Sequence, residues 1–314
     1  MPLFGGQRPP QPTEAERQAA EVDLERIRQG GIPLGAEQRL KRVAAASTPF
    51  FTSDLSAKEY ALAQASGLQP VAQVMGSSVV QHGWNTYQPS YYGYSQEVRA
   101  LSDPWNLARS RAFDRLQEEA RCAAADAVIG IEMSASGSVG DANNVEFVVF
   151  GTAVRDNAFG NVRSDLVRTC TLSGQEVDKL RRNGAEPCGV IGHTCVVVAQ
   201  LQPNSNYILN SSGWLGGAGS MNAEIPEISQ GVYDARQRVM AEAKRQALEV
   251  DGNRIVISTL THSIEHREYE QPGGIRINYF FVTMHVLGTA IQVGAHAPYP
   301  APMREPVLSI NLGT

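Results

Sequence analysis

Phe150-Gly151-Thr152-Ala153-Val154 returns 137 residues later as Leu287-Gly288-Thr289-Ala290-Ile291. Five residues alone decide little, so the flanking sequence carries the reading. Ala108-Arg109-Ser110-Arg111 recurs as Ala235-Arg236-Gln237-Arg238, 127 residues on, and Ala120 recurs as Ala247. Further back, Thr52, Leu55, Ser56 and Glu59 recur at a shift of 117 as Thr169, Leu172, Ser173 and Glu176. The same shift pairs Gly67 with Gly184, Pro70 with Pro187, and Val79-Val80 with Val196-Val197. Offsets that hold across whole elements and step up twice by ten residues indicate a duplicated unit. Two insertions then fall in the second copy, within 203–220 and within 263–278, where surface loops are expected. The copies span 48–157 and 165–293.

Locally the copies read alike. Val71 to Val80 and Pro187 to Gln200 are β-branched and apolar, which predicts strands. Ala112, Leu116 and Ala120, and likewise Ala235, Val239, Ala243 and Ala247, recur at helical spacing among charged residues, which predicts amphipathic helices over Ala108–Ala124 and Val232–Val250. Strands follow at Asp126–Ile131 and Asn253–Ile257, and again at Val145–Val154 and Tyr279–Val293. A short extra strand is expected near Thr52 and Thr169. The order is strand, helix, strand, strand, an α+β fold. In the last strand both alternating sets, Phe281, Thr283, His285, Leu287 and Phe280, Val282, Met284, Val286, are largely apolar, so both sheet faces should be covered. One helix per copy covers one face; the other should meet the second copy or another subunit.

Outside the copies, residues 1–47 form a proline-containing helical arm. Thr13 to Glu16 has capping-box spacing, opening a helix to about Arg28 that Gly30-Gly31 close, and a second helix is expected over Ala36–Ala46. Its many charges predict a lightly docked arm. Residues 294–314 form a tail in which Pro298, Pro300, Pro302 and Pro306 precede a strand-like apolar run.

The chain has 314 residues with 27 Lys+Arg against 32 Asp+Glu, a net charge of -5. No basic excess favours nucleic acid or an anionic membrane as partner. No apolar run is long enough for a membrane span or signal peptide, and the four cysteines have no paired spacing. A cytoplasmic location is expected. Charged residues make up only 19%, below the usual fraction of about 25%, so part of the surface should be covered by another domain or subunit.

Ala108-Arg109 before a helix, then Ala124-Ala125-Asp126-Ala127-Val128-Ile129-Gly130, then Phe150-Gly151-Thr152-Ala153-Val154, resemble the YbjQ-like family of small bacterial proteins, whose name ties them to heavy-metal binding. The resemblance extends to the Gly-x-x-Pro-Val-x-x-Val stretch at Gly67 to Val74. It implies a dodecin-like β-α-β-β domain whose sheets pack into a ring, commonly a pentamer, and no established activity. The family usually has Gly where this chain has Ala124; in the second copy, Gly252 is expected to supply the left-handed cap.

Two ligand sets deserve weighing. Cys188, His193 and Cys195 have neither zinc-finger nor zinc-ribbon spacing, and on a continuous strand Cys188 would face away from the other two. His262, His266 and His285 could meet across a hairpin and hold zinc or copper. The repeat argues against both, because the matching residues are Ala135, Val139 and Val148, and Val71, Gly76 and Ser78. Trp84, Tyr87, Tyr91, Tyr92 and Tyr94 form an aromatic loop suited to a protein partner, and Val307, Leu308, Ile310 and Leu312 could add a strand to a sheet edge. No nucleophile elbow, P-loop or metalloprotease motif occurs. The expected function is a non-enzymatic, homo-oligomeric ring scaffold or binding protein. The alternatives are binding or storage of a soft or borderline transition metal, and an enzyme with its site at subunit boundaries.

Overall fold

Two long helices and two four-stranded sheets stack as sheet, helix, sheet, helix, with shorter helices around them. The computed structural model describes residues 13–46, 52–53, 55–65, 67–81, 95–137, 144–156, 167–202, 205, 224–271 and 275–294. The elements are α1 (Glu14–Arg28), α2 (Leu34–Ala45), α3 (Ala57–Ala65), β1 (Leu68–Gln81), β2 (Ser95–Glu97), α4 (Arg99–Cys122), β3 (Ala127–Gly137), β4 (Asn144–Asp156), β5 (Arg168–Thr169), α5 (Gly174–Arg182), β6 (Ala185–Gln200), α6 (Pro226–Glu249), β7 (Arg254–Gln271) and β8 (Ile275–Val293). The first sheet has the order β1-β4-β3-β5 and the second β2-β6-β8-β7. Among the described residues no helix is long and apolar enough to cross a membrane.

Small residues on each long helix let it lie close to a sheet. Ala108, Ala112, Leu116 and Ala120 of α4 bury against Val74, Phe147 and Val149 of the first sheet. Leu101 and Trp105 of α4 also join Val196, Val198, Tyr279 and Phe281, so α4 covers one face of the second sheet as well. The opposite face of that sheet takes α6 through Ala235, Val239, Ala243 and Ala247 against Cys195, Val197, Val282 and Met284. Both faces of the second sheet are therefore covered by helices.

The ladders of the two sheets share register. Val74 lies opposite Gly151 and Ile191 opposite Gly288. A bulge interrupts β1 between Pro70 and Ala72, and another interrupts β6 between Pro187 and Gly189. Each long helix ends in one non-glycine residue at positive φ, Ala124 at 53° and Asp251 at 60°. The left-handed position after α6 is thus Asp251, not Gly252. Aspartate tolerates this conformation better than most residues because its short side chain bonds locally.

The structure differs from the sequence reading elsewhere too. Of the two expected short-strand positions, Thr169 lies in β5 while Thr52 is not in a strand. Helix α4 starts nine residues before Ala108 and carries Pro104 inside it, because Leu101, Trp105 and Ala108 continue one buried stripe across the proline. The insertion after Ser263 is not a loop: β7 and β8 stay paired as far as Gln271 opposite Ile275. The N-terminal arm is docked. Leu40 is fully buried in the core around α4, and Arg115 donates hydrogen bonds to the carbonyls of Ile27 and Gly31 at 2.9 and 3.2 Å. One of its charges helps to anchor it, since Arg39 pairs with the buried Glu119 of α4 at 3.6 Å. The capping box of α1 forms as expected, with Glu16 accepting from the Thr13 backbone at 2.7 Å.

Candidate functional site

The chemistry concentrates where α4 meets the second sheet. Strand β2 pairs with β6 at Ser95–Glu97, and among the described residues no strand lies beside the edge of β6 beyond Val196. Unpaired backbone groups at a buried edge are costly, and side chains take them up. Asn106 donates to the Thr194 carbonyl at 2.9 Å and accepts from the Thr194 N–H at 3.0 Å. Ser102 Oγ accepts from the Val196 N–H at 2.9 Å, and Gln246 from the Gly192 N–H at 3.0 Å. In the other direction, β5 lies parallel to β3, and the Cys170 backbone N–H donates to the Val128 carbonyl at 2.9 Å. Thr289 Oγ1 accepts from the Thr171 N–H at 2.9 Å, and Thr169 Oγ1 from the Val190 N–H at 3.2 Å. Each sheet is completed by a strand from the other half of the chain.

Within this contact a cavity of about 240 Å³ lies between β3 and β7, lined by Trp105, Ala135, Thr261, Ser263, Thr283 and His285 among others. Typical organic ligands need roughly 300 Å³ or more, so this space suits a few waters or a small polar molecule. His285 Nδ1 shares a hydrogen bond of 2.9 Å with Thr194 Oγ1, and its ring meets Trp105 edge-on with centroids 4.8 Å apart. The buried Thr283 hydroxyl finds no hydrogen-bond partner among the described residues, and neither does Nη1 of Arg109.

Burial, helped by the nearby Arg109 charge, lowers the His285 pKa to about 4. Burial also lowers Arg109 to about 10, against the pull of Glu242, so the guanidinium stays charged at neutral pH. Burial and Arg109 lower His193 too. An unfolded histidine takes up its proton near pH 6.5, whereas His285 in the fold resists until about 4. Stability is therefore lost as pH falls through that window, by about 3 kcal/mol for this one group. We expect urea midpoints to drop between pH 7 and pH 4.5, and to drop less in His285→Phe, which keeps the ring contacts and removes the proton site. An equal drop in both proteins would show that His285 is not responsible.

Burial pushes the Cys170 thiol to about 11 and Cys195 to about 12, so neither supplies a thiolate nucleophile at neutral pH. The structure does not bring the suggested ligand sets together. His262 and His285 both line the cavity between β3 and β7, but His262 lies opposite Met284 while Thr261 lies opposite His285, so the two side chains leave the ladder on opposite faces. The cause is a bulge between Ile257 and Thr259, which shifts the alternation of β7 by one residue. His266 stacks on Phe280 at 4.7 Å and donates from Nε2 to Asn278 Oδ1 at 2.6 Å. Cys188 sits in the β6 bulge and packs against the core under α6 that contains Cys195. Seven residues of strand, on the order of 20 Å, still separate the two thiols. Among the described residues no group of three His, Cys, Asp or Glu side chains is placed to hold a metal ion. Trp84, Tyr87, Tyr91, Tyr92, Tyr94, Val307, Leu308, Ile310 and Leu312 lie outside the described residues. The sequence reading missed Asn106 and Ser102. Nothing in the sequence singled them out, since Asn106 corresponds to Tyr233 among many differences between α4 and α6, and Ser102 corresponds to Ser229.

In comparison with known proteins, residues 90–157, from just before β2 to the end of β4, match the model of a family described as "Putative heavy-metal-binding". The chain is 32% identical over 232 residues to "Encapsulin nanocompartment protein Rv1762c" of Mycobacterium tuberculosis, an alignment covering 71% of this chain and 84% of that protein. No solved structure matches. At that identity and coverage, the chain belongs to the family of the Mycobacterium tuberculosis encapsulin nanocompartment protein.

Proposed function

We propose that this chain is a non-enzymatic, self-assembling scaffold built from two copies of one domain, acting as a structural component of a cytoplasmic protein nanocompartment. The observation that carries the reading is the reciprocal strand exchange, β2 onto the second sheet and β5 onto the first. Such exchange is how separate domains associate, here within one chain. Duplication is supported by the matched bulges and by a matched edge contact: Glu119 accepts from the Met75 N–H at 2.9 Å, as Gln246 does from Gly192. Burial pushes the Glu119 carboxyl above its ordinary range, consistent with a structural role. The nanocompartment role is taken from the name of the relative.

With five-fold closure, five chains give ten domain positions, as two stacked five-domain rings or as one alternating ten-domain ring. Native mass spectrometry tests the reading: whole multiples of 34.0 kDa are expected. A second reading, binding of a soft or borderline transition metal, is favoured by the description of the matching family. Bound metal would add a fixed mass per chain in the same spectrum.

A further inference from the structure

The layers run sheet, helix, sheet, helix. At one end the outer sheet face is covered by α3 and α5 around Leu68, Ile129 and Val154 but bare around Met75 and Val79, and at the other end lies a bare helix face. The contact between α4 and the second sheet shows what such surfaces do when they meet. On the sheet side of that contact, Val196 is fully buried; the matching Val79 of the first sheet is 61% exposed. Gly192, which lies against Arg109, is matched by Met75, which is 49% exposed. On the helix side, Asn106, Arg109 and Phe113 are matched by Tyr233, Arg236 and Met240. These line a groove of about 820 Å³ beside the start of β7. Tyr233 is 69% exposed and Leu248, at the far end of the groove, 62%.

Charge complements shape. The groove carries Arg236, Lys244 and Arg254 and no acidic residue. The bare face carries the exposed Glu146, across from Val79, and Glu132 in the row of Phe150 and Met75. The outer edge of β7 has no strand beside it among the described residues, whereas the corresponding edge of β3 takes β5. Ile257, Leu260 and Ile264 on β7 are also exposed, an unprotected edge that calls for a partner.

We infer that a second copy of this chain docks the Met75/Val79 face of its first sheet into the Tyr233/Leu248 groove of α6, repeating between chains the contact that α4 makes within one. The inference rests on the scaffold reading and gives it a geometry. The two surfaces are different and complementary, so the contact is head-to-tail and continues until it closes.

Two double variants test it. M75D with V79D disables the face, and Y233D with L248D disables the groove. Each alone is expected to remain a 34.0 kDa monomer. Mixed in equal amounts, they are expected to form one species of twice that mass and nothing larger, because each supplies the surface the other lacks. Either variant assembling like the wild type, or a mixture that stays monomeric, overturns the inference. Charge reversal gives a milder second arm: E132K with E146K is expected to weaken assembly about tenfold, and adding R236E with K244E in the same chain to restore it. Failure to restore counts against the contact. A wild-type chain that assembles alongside variants that also assemble sinks this geometry alone; a monomeric wild type sinks the scaffold reading itself.

Discussion

Asn106→Leu is expected to lower the unfolding free energy by about 3 kcal/mol, because two backbone groups of Thr194 lose their partner at once. Leucine has the same number of side-chain heavy atoms as asparagine and the same branch at Cγ, so it fills the place of the amide while the Thr194 N–H and carbonyl are left without their bonds. Each such loss costs roughly 1–3 kcal/mol at a buried site. Asn106→Asp keeps the acceptor and removes the donor, and should fall between wild type and Asn106→Leu. Urea denaturation at pH 7.5 measures all three. A loss under about 0.5 kcal/mol for Asn106→Leu would mean that water replaces the side chain and that the edge of β6 is not sealed by α4.

A larger effect is expected for Gly76→Ala. A Cβ there would stand 1.8 Å from the Ala112 carbonyl oxygen and 2.8 Å from the Leu116 nitrogen, both on the backbone of α4. Backbone cannot swing aside as a side chain does, so the whole helix must lift off β1, carrying the Ala112 and Leu116 stripe with it. We expect a cost of more than about 3 kcal/mol, at or beyond the upper end for overpacking, seen as a marked fall in melting temperature or loss of soluble protein. Gly35→Ala in α2 is the control, since nothing lies within 4 Å of its Cβ and helix propensity favours alanine. A melting temperature for Gly76→Ala within a degree or two of wild type would contradict the close approach of α4 to β1.

The order strand, helix, strand, strand was legible because it is written twice and because the Ala112 and Ala243 stripes have helical spacing over several turns. The strand exchange was not. Strand β2 has three residues and β5 two, too few for alternation to register. The early start of α4 was hidden by Pro104, which reads as a break although the buried stripe runs through it. The histidine set failed for one physical reason. Without the bulge between Ile257 and Thr259, His262 would share the face of His285; one extra residue reverses that, and nothing in Ile257-Ser258-Thr259 announces it. The covered faces of β8 were legible from its two apolar sets, and the second cover proved to be α4 from the first half of the chain.

The central claim is that a contact made inside the chain is made again between chains. Native mass spectrometry of the purified wild-type protein, sprayed at about 10 μM, reads it directly. The account predicts discrete particles at whole multiples of 34.0 kDa, with little free monomer. A spectrum in which the 34.0 kDa monomer dominates at that concentration would contradict it.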